Sequence, residues 1–129
     1  MTPEGKVKKQ ITDYLESLHK EKKVWYQRRE AIGFSYKKGV PDLYAVCKGY
    51  HIEIEVKRGI GGELSTMQEK FRSECKNYGM IYILADSLYE VKNVIDLLLS
   101  EWYNIDVMMI GSPPFYFMCH MCDIYHHCS

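Results

Sequence analysis

One hairpin constrains this chain more than any other segment. Two short apolar stretches meet at Lys48-Gly49 within "GVPDLYAVCKGYHIEIEVKRG", residues 39–59. The second stretch alternates apolar and charged side chains, and this period of two is typical of a strand with one apolar face. We therefore predict two antiparallel strands, over 43–47 and 51–57, in which Ile52, Ile54 and Val56 face one way and Glu53, Glu55 and Lys57 the other.

Three amphipathic helices are predicted around this hairpin. The first begins at Thr2-Pro3, where threonine is a favoured N-cap and proline fits the first turn. The second begins with a capping box of Ser65 and Gln68, and the third begins at Ser87. The predicted buried stripes are Val7, Ile11, Leu15 and Leu18 in the first helix, Met67, Phe71, Cys75 and Tyr78 in the second, and Val91, Val94 or Ile95, Leu98 and Trp102 in the third.

Two more strands, over 24–29 and 80–85, complete an α/β fold. The element order is α-β-β-β-α-β-α, and the β-α-β step through the second helix implies a parallel strand pair within a mixed central sheet. Residues 1–104 are predicted to form one domain. The regular pattern ends there, and residues 105–129 are treated as a C-terminal extension.

The charge is divided unevenly along a chain whose formal net charge is zero. Residues 1–58 carry thirteen Lys or Arg against eight Asp or Glu, a balance of +5, and the remainder carries four against nine. Neutrality argues against a protein that simply coats nucleic acid, whereas a basic half suits an anionic partner contacted on one side. A solvated, lysine-rich helix explains the same numbers equally well.

A cytoplasmic protein is expected. The N-terminus has no apolar segment typical of a secretory signal, and the apolar runs near 94–99 and 107–110 are too short to cross a bilayer. Five cysteines, an odd number, are more typical of a reducing compartment than of a disulfide scaffold. No membrane partner is predicted.

The charged face of the hairpin is a candidate catalytic site. If the register brings Asp42 beside Glu55, the two carboxylates are hard oxygen ligands suited to Mg²⁺ or Mn²⁺. Lys57, one pleat away, could stabilise charge that develops on a phosphate. Glu4 projects into the apolar stripe of the first helix, where an acid is costly unless something pairs with it. The alternative is an ordinary solvated strand face, on which Glu and Lys alternate without a function.

The segments "GVPDLYAV", "IEIEVKRG" and "GGELSTMQEKF" resemble the virus-type replication-repair nucleases (VRR-Nuc), a branch of the PD-(D/E)xK superfamily. The resemblance covers roughly residues 2–96. It implies a restriction-endonuclease-like core and a DNA endonuclease that depends on Mg²⁺ or Mn²⁺, in a bacterium or a virus-infected host cell. It further implies metal binding by Asp42, Glu55, the Val56 carbonyl and Glu4, the acidic residue of the first helix. It also implies a catalytic Lys57 and a downstream Gln68 at the site.

Other residues near the motif have two interpretations. Gln68 is either a site residue or only the partner in the capping box. Glu53 shares the charged face but is expected to be a solvated strand residue. Five cations flank the motif and are candidate DNA contacts, although each could equally be a surface cation; they are Arg28, Arg29, Lys37, Lys38 and Arg58.

The tail carries a cluster of soft ligands. Cys119-x-x-Cys122 has the spacing of half a zinc site, and His126, His127 and Cys128 could supply the rest. Since His127 and Cys128 are adjacent and cannot easily reach one ion together, a loosely packed extension is favoured over structural Zn²⁺. A zinc-stabilised tail would support an alternative function, that of a non-catalytic nucleic-acid-binding module that tolerates loss of Lys57. A structural or packaging protein would leave Asp42 and Glu4 unexplained.

The expected assembly is a homodimer. Stand-alone nucleases that resemble this family act as homodimers on branched DNA such as Holliday junctions, and two symmetric cuts require two sites. The apolar segments "IDVMMI" and "PFYFM" could form the interface. Alternatively, these segments cover the domain's own sheet.

Overall fold

The computed structural model describes residues 1–29, 39–57 and 63–108, with side chains up to residue 100. Seven elements follow one another along the chain. They are α1 (Pro3–Lys20), β1 (Trp25–Arg28), β2 (Leu43–Cys47), β3 (Tyr50–Val56), α2 (Thr66–Asn77), β4 (Ile81–Ala85) and α3 (Leu88–Met108).

The four strands form one mixed sheet in the order β1-β2-β3-β4. The pairs β1–β2 and β2–β3 are antiparallel, whereas β3 and β4 run parallel and are connected through α2. Both the predicted element order and the mixed sheet are confirmed. The strand ends lie within one residue of the predicted ends, and β2 agrees at both ends.

One face of the sheet carries the hydrophobic core. Leu43, Ile54 and Ile83 lie side by side on three neighbouring strands and are almost completely buried. Helices α1 and α3 cover this face, and removing their apolar side chains from water is the main driving force for folding. The predicted stripes are confirmed for the residues that reach zero exposure, which are Ile11, Leu15, Val91, Val94, Ile95 and Leu98.

Among the described residues, the other face is covered only in part, by α2, which packs mainly against β4. Cys75 is fully buried, but Met67 and Tyr78 are 43% and 80% exposed, so the buried stripe predicted for α2 is wrong at these two positions. The reason is the surface beneath the helix. That face of β3 carries Glu53 and Glu55, so it has little apolar surface against which a wide apolar stripe of α2 could pack.

The predicted helix starts are confirmed by their caps. Thr2 Oγ1 accepts a hydrogen bond of 3.0 Å from the Gly5 amide. Ser65 and Gln68 form a complete capping box at the start of α2. At α3, Ser87 Oγ accepts a 3.2 Å hydrogen bond from the Tyr89 amide. Short-range sequence patterns therefore define where all three helices begin.

Helix α3 continues to Met108 and so passes the domain boundary proposed at residue 104. The cysteines and histidines of the tail lie outside the described residues, as do Lys37, Lys38 and Arg58. None of the helices in the described part of the chain is long and apolar enough to cross a membrane.

Two glycines of the hairpin region give a stability prediction. Gly39 and Gly49 both have positive φ angles, 88° and 83°. A Cβ added at Gly49 would meet no atom within 4 Å, whereas at Gly39 it would lie 2.5 Å from the Met67 carbonyl carbon. We expect Gly49→Ala to cost about 1 kcal/mol from backbone strain alone. Gly39→Ala should cost clearly more, because the start of α2 must also move. Urea unfolding of both variants measures the difference, and equal losses would contradict the close approach at Gly39.

Candidate active site

Two acidic side chains meet at one end of the β2–β3 hairpin. Leu43 pairs with Ile54, so the next step of the same register places Asp42 opposite Glu55. Side chains paired in this way lie on one face, with Cβ atoms roughly 5 Å apart. The negative charge of Asp42 also helps to raise the pKa of Glu55. The predicted pairing of these two acids therefore agrees with the strand register of the structure.

Glu55 is a buried carboxylate with only one satisfied oxygen. The residue is 5% exposed, and its Oε1 accepts a hydrogen bond from Gln68 Nε2. Its Oε2 is buried and has no hydrogen-bond partner in the described structure. Burial, followed by the charge of Asp42, raises the pKa of Glu55 to about 7, against smaller lowering effects of Lys57, the Asp42 backbone and Lys8. A carboxylate in this state gains more than most from an added cation.

Gln68 serves α2 and Glu55 at the same time. Its Oε1 accepts a 2.8 Å hydrogen bond from the Ser65 amide, while its Nε2 donates to Glu55. An amide side chain can do both because its acceptor and its donors are at separate atoms. The capping interpretation of Gln68 is thus confirmed, and the same amide also contacts the candidate site.

Two lysines approach the acids from different elements. Lys57 follows Glu55 by two residues, so it lies on the same face of the sheet and is half-buried. Lys8 comes from α1, and its Nζ lies 3.4 Å from Asp42 Oδ2. Lys8 was not predicted as a site residue. Its position could have been inferred from its spacing of one helical turn from Glu4, because this spacing puts both residues on one face of α1.

Glu4 lies in the first turn of α1 and is half-buried. In the described part of the chain, no group of three Asp, Glu, His or Cys side chains is close enough to hold one ion. Glu4 therefore does not complete a three-acid cluster with Asp42 and Glu55. The site offers two carboxylates, with Lys8 as the α1 residue that reaches Asp42.

Glu53 is not the solvated residue that its strand position suggested. It is 1% exposed and accepts two hydrogen bonds from Arg29, of 2.5 Å from Nη1 and 2.9 Å from Nη2. His51 Nε2 donates to the same carboxylate. The prediction failed because the partner is 24 residues away in sequence, on the segment that follows β1. Alternation along one strand cannot reveal such a partner.

The Glu53–Arg29 pair also holds the chain on both sides of the following segment. Arg29 Nη1 donates a 3.1 Å hydrogen bond to the Pro41 carbonyl, and the Arg29 amide donates one of 2.9 Å to the Asp42 carbonyl. The guanidinium carbon lies 4.3 Å from the centre of the Tyr44 ring. Arg29 was predicted as a DNA contact, but its guanidinium is engaged within the protein and fixes the backbone beside Asp42.

Arg28 points to the opposite side of β1 and is exposed. Together with Lys8 and Lys9 it lines an open cleft of about 480 Å³ beside the first half of α1. Two of the five cations predicted as DNA contacts, Arg28 and Arg29, lie in the described part of the chain, and of these Arg28 has the exposed side chain. A phosphate placed in this cleft would lie near Lys8 and hence near the acids.

The donor set fits a hard divalent cation. Mg²⁺ and Mn²⁺ prefer oxygen ligands and usually bind one or two protein carboxylates together with water and substrate phosphate. Asp42 and Glu55 supply such a pair, and the Val56 side chain lies in the core, so that residue could offer only its carbonyl. The unpartnered Glu55 Oε2 carries this argument, because a buried carboxylate oxygen is costly without a hydrogen bond or a cation.

Tyr82 is a second residue that the sequence analysis missed. It pairs with Glu53 across β3 and β4 and is 3% exposed, and its hydroxyl is the other buried polar atom without a partner in the described structure. Burial, and then the charge of Glu55, raise the pKa of this phenol. The tyrosine lies within an apolar run, so no pattern in the sequence distinguishes it from a core residue.

Comparison with known proteins supports the fold. No protein-family model matches the chain, and no curated protein is similar to it in sequence. A solved structure described as a VRR_NUC domain superposes with a TM-score of 0.60 at 21% identity. The match covers 74% of this chain and 97% of that one. The chain therefore has a VRR-Nuc-like fold, which confirms the predicted fold class.

The two buried glutamates of β3 give contrasting predictions. The folded-state pKa of Glu55 is raised from 4.5 to about 7, so between these values the native state binds more protons than the unfolded state. The free energy of unfolding therefore falls as the pH rises through this window. Glu55→Gln should remove that loss and stabilise the metal-free protein at pH 8 by as much as about 3 kcal/mol.

Glu53→Gln is the matched control two residues away. It leaves the largely buried Arg29 guanidinium without its charged partner and should destabilise the protein by about 3 kcal/mol. Urea unfolding in EDTA at pH 5 and pH 8 measures both effects. A loss of stability in Glu55→Gln similar to that in Glu53→Gln would identify Glu55 as a structural residue.

Proposed function

Because the chain has a VRR-Nuc-like fold with paired carboxylates at the end of its central hairpin, we propose that it is a Mg²⁺- or Mn²⁺-dependent DNA endonuclease. The observation that supports this most strongly is the buried, unpartnered Oε2 of Glu55 beside Asp42. An ordinary solvated strand face would not bury a carboxylate whose pKa is raised in this way. The arrangement favours a cation at the site.

Asp42 and Glu55 would hold the ion, with the Val56 carbonyl as a further donor. When bound, such an ion polarises the phosphodiester and lowers the pKa of the attacking water. Gln68 keeps the Glu55 carboxylate in one orientation through its hydrogen bond. The chain thus provides the acids in a preformed arrangement, which reduces the reorganisation needed at the time of reaction.

The two lysines have different parts in this proposal. Lys57 lies on the face of the acids and places a positive charge where negative charge develops on the phosphate. Lys8 pairs with Asp42 and reduces the repulsion between the two carboxylates. Arg28, near Lys8, would contact the DNA backbone outside the reacting bond.

The proposed substrate is branched DNA, including four-way junctions, and the proposed assembly is a homodimer. A two-fold dimer places two sites at a fixed distance, as two symmetric cuts require. The apolar segments "IDVMMI" and "PFYFM" are suited to a self-complementary interface, although most of their residues lie outside the described chain.

Loss of Lys57 tests the chemistry. Lys57→Met keeps most of the side-chain volume but removes the charge, and it should reduce cleavage about 10²- to 10³-fold. Binding of DNA in Ca²⁺ should change little, because Ca²⁺ has a larger and looser coordination shell that supports binding but little hydrolysis. Single-turnover cleavage of a labelled four-way junction in Mg²⁺ gives the rate, and fluorescence anisotropy gives the affinity.

Lys92→Met, an exposed lysine on α3, is the matched control and should cleave at the normal rate. An undiminished rate in Lys57→Met, or robust cleavage in excess EDTA, would contradict the proposal. It would favour the non-catalytic nucleic-acid-binding module instead.

The assembly has its own test. Light scattering at micromolar concentration should give twice the mass of the chain, and the two nicks in a four-way junction should appear together. A monomer that produces unpaired nicks would contradict the dimer while leaving the nuclease chemistry in place.

A further inference from the structure

An exposed tryptophan stands at the end of the sheet opposite the acids. Trp25 is 44% exposed. Gln27, two residues further along β1, pairs with Tyr44, which pairs in turn with Glu53. Trp25 therefore lies on the sheet face that carries Glu53 and Glu55. Helix α2 packs mainly on β4, at the far edge of the sheet. A large aromatic ring therefore faces solvent on an open part of the sheet.

Contacts with neighbouring side chains hold the Trp25 ring in place. This ring meets the Tyr44 ring edge-on, with centres 5.6 Å apart, and the Tyr44 hydroxyl donates a 2.7 Å hydrogen bond to Gln27. Tyr44 is in turn stacked with His51 and contacted by the Arg29 guanidinium. The residues that bind Glu53 thus also support Trp25. A ring that is held by a neighbouring ring and is also partly exposed offers a preformed stacking surface.

Beside Trp25 lies an open, basic cleft of about 590 Å³. Three lysines line it, and Lys48 lies at the tip of the β2–β3 hairpin, at the same end of the sheet. Lys20 lies in the last turn of α1, where the helix dipole favours a cation. Lys22 and Lys23 follow the helix, and Lys23 Nζ lies 2.9 Å from Glu21 Oε2. Lys22 has a positive φ of 61° because it ends the helix, and its amide donates a 2.9 Å hydrogen bond to the His19 carbonyl.

The cleft and the acids lie at opposite ends of the same strands. Trp25 pairs with Val46, and the amide of Arg29 bonds to Asp42, so four residues separate the two ends. At about 3.3 Å per residue this is roughly 13 Å. One nucleic-acid strand covers that distance with about four nucleotides at the duplex spacing of 3.4 Å, and with fewer when it is stretched.

We propose that Trp25 and the lysines of this cleft bind a single-stranded segment of the DNA substrate, a few nucleotides from the bond that is cut. One base stacks on Trp25, and neighbouring phosphates pair with Lys20, Lys22 and Lys23, the last in exchange for its contact with Glu21. Stacking selects single strands, because the faces of bases inside a duplex are already covered. The proposal rests on the proposed nuclease for its direction toward Asp42, but the binding step itself requires neither metal nor catalysis.

Binding is tested without metal. Anisotropy of a labelled ten-nucleotide oligo(dT) in EDTA should show about tenfold weaker binding by Trp25→Ala, with most of the affinity retained by Trp25→Phe. Lys22→Ala should weaken binding and reduce the dependence of log K on log salt by about one unit. Affinity for a blunt duplex should be unchanged in Trp25→Ala. Matched controls are Tyr89→Ala and Lys92→Ala on α3, both exposed and both expected to bind normally.

A cleavage series links the cleft to the acids. Branched substrates with single-stranded arms of zero, two, four and eight nucleotides should be cut faster by the natural protein as the arm lengthens to about four. The ratio of the rates on long-armed and armless substrates should fall in Trp25→Ala.

The outcomes separate the two proposals. Oligo(dT) binding that is normal in Trp25→Ala, or a loss that is equal for single strands and duplex, overturns the stacking site and leaves the nuclease intact. Binding that depends on Trp25, with no cleavage of any substrate, overturns the nuclease and leaves the stacking site. Circular dichroism and urea unfolding of Trp25→Ala confirm that the variant is folded.

Discussion

The pairing register of β2 against β3 determines where every charged side chain of the hairpin lies. Side chains alternate between the two faces, so a shift by one residue would move Glu53 and Glu55 into the apolar core and Ile54 out of it. Burying two carboxylates among Ile and Leu side chains would cost more than a small domain can spare. The tight turn at Lys48-Gly49, where both residues have positive φ, favours the same register independently.

Within that register, two glutamates two residues apart have opposite electrostatic situations. Glu53 is buried with a bidentate guanidinium and an imidazole, so its charge is compensated inside the protein. Glu55 is buried almost as deeply beside another acid, with one oxygen unpartnered. The first arrangement is what a stable fold requires of a buried acid, and the second lowers stability. Such a difference on one strand face is the reason why Glu55, and not Glu53, is the proposed ligand-binding acid.

Much of this was predictable from local pattern, and the rest depended on contacts between distant segments. Alternation located the hairpin and placed Asp42 beside Glu55, and capping residues located the helix starts, because both signals extend over only a few residues. The motif resemblance identified the fold. The burial of Glu53 was missed because Arg29 lies on another strand's end, and Lys8 was missed because it arrives from α1. The exposed side of α2 was missed because helical spacing shows that a stripe exists but not whether the opposing surface is apolar.

The hydrogen bonds from Arg29 to the backbone of Pro41 and Asp42 have an evolutionary consequence. The amide and the guanidinium of Arg29 bond to the carbonyls of Asp42 and Pro41, so the two ends of the segment over residues 30–40 are tied together independently of what lies between. Lengthening a segment whose ends are already fixed adds little entropic cost, because the cost of closing a flexible chain grows only with the logarithm of its length. Insertions before Gly39 can therefore accumulate without displacing Asp42. Related chains could diversify between Arg29 and Gly39 while Asp42 and Glu55 keep their geometry.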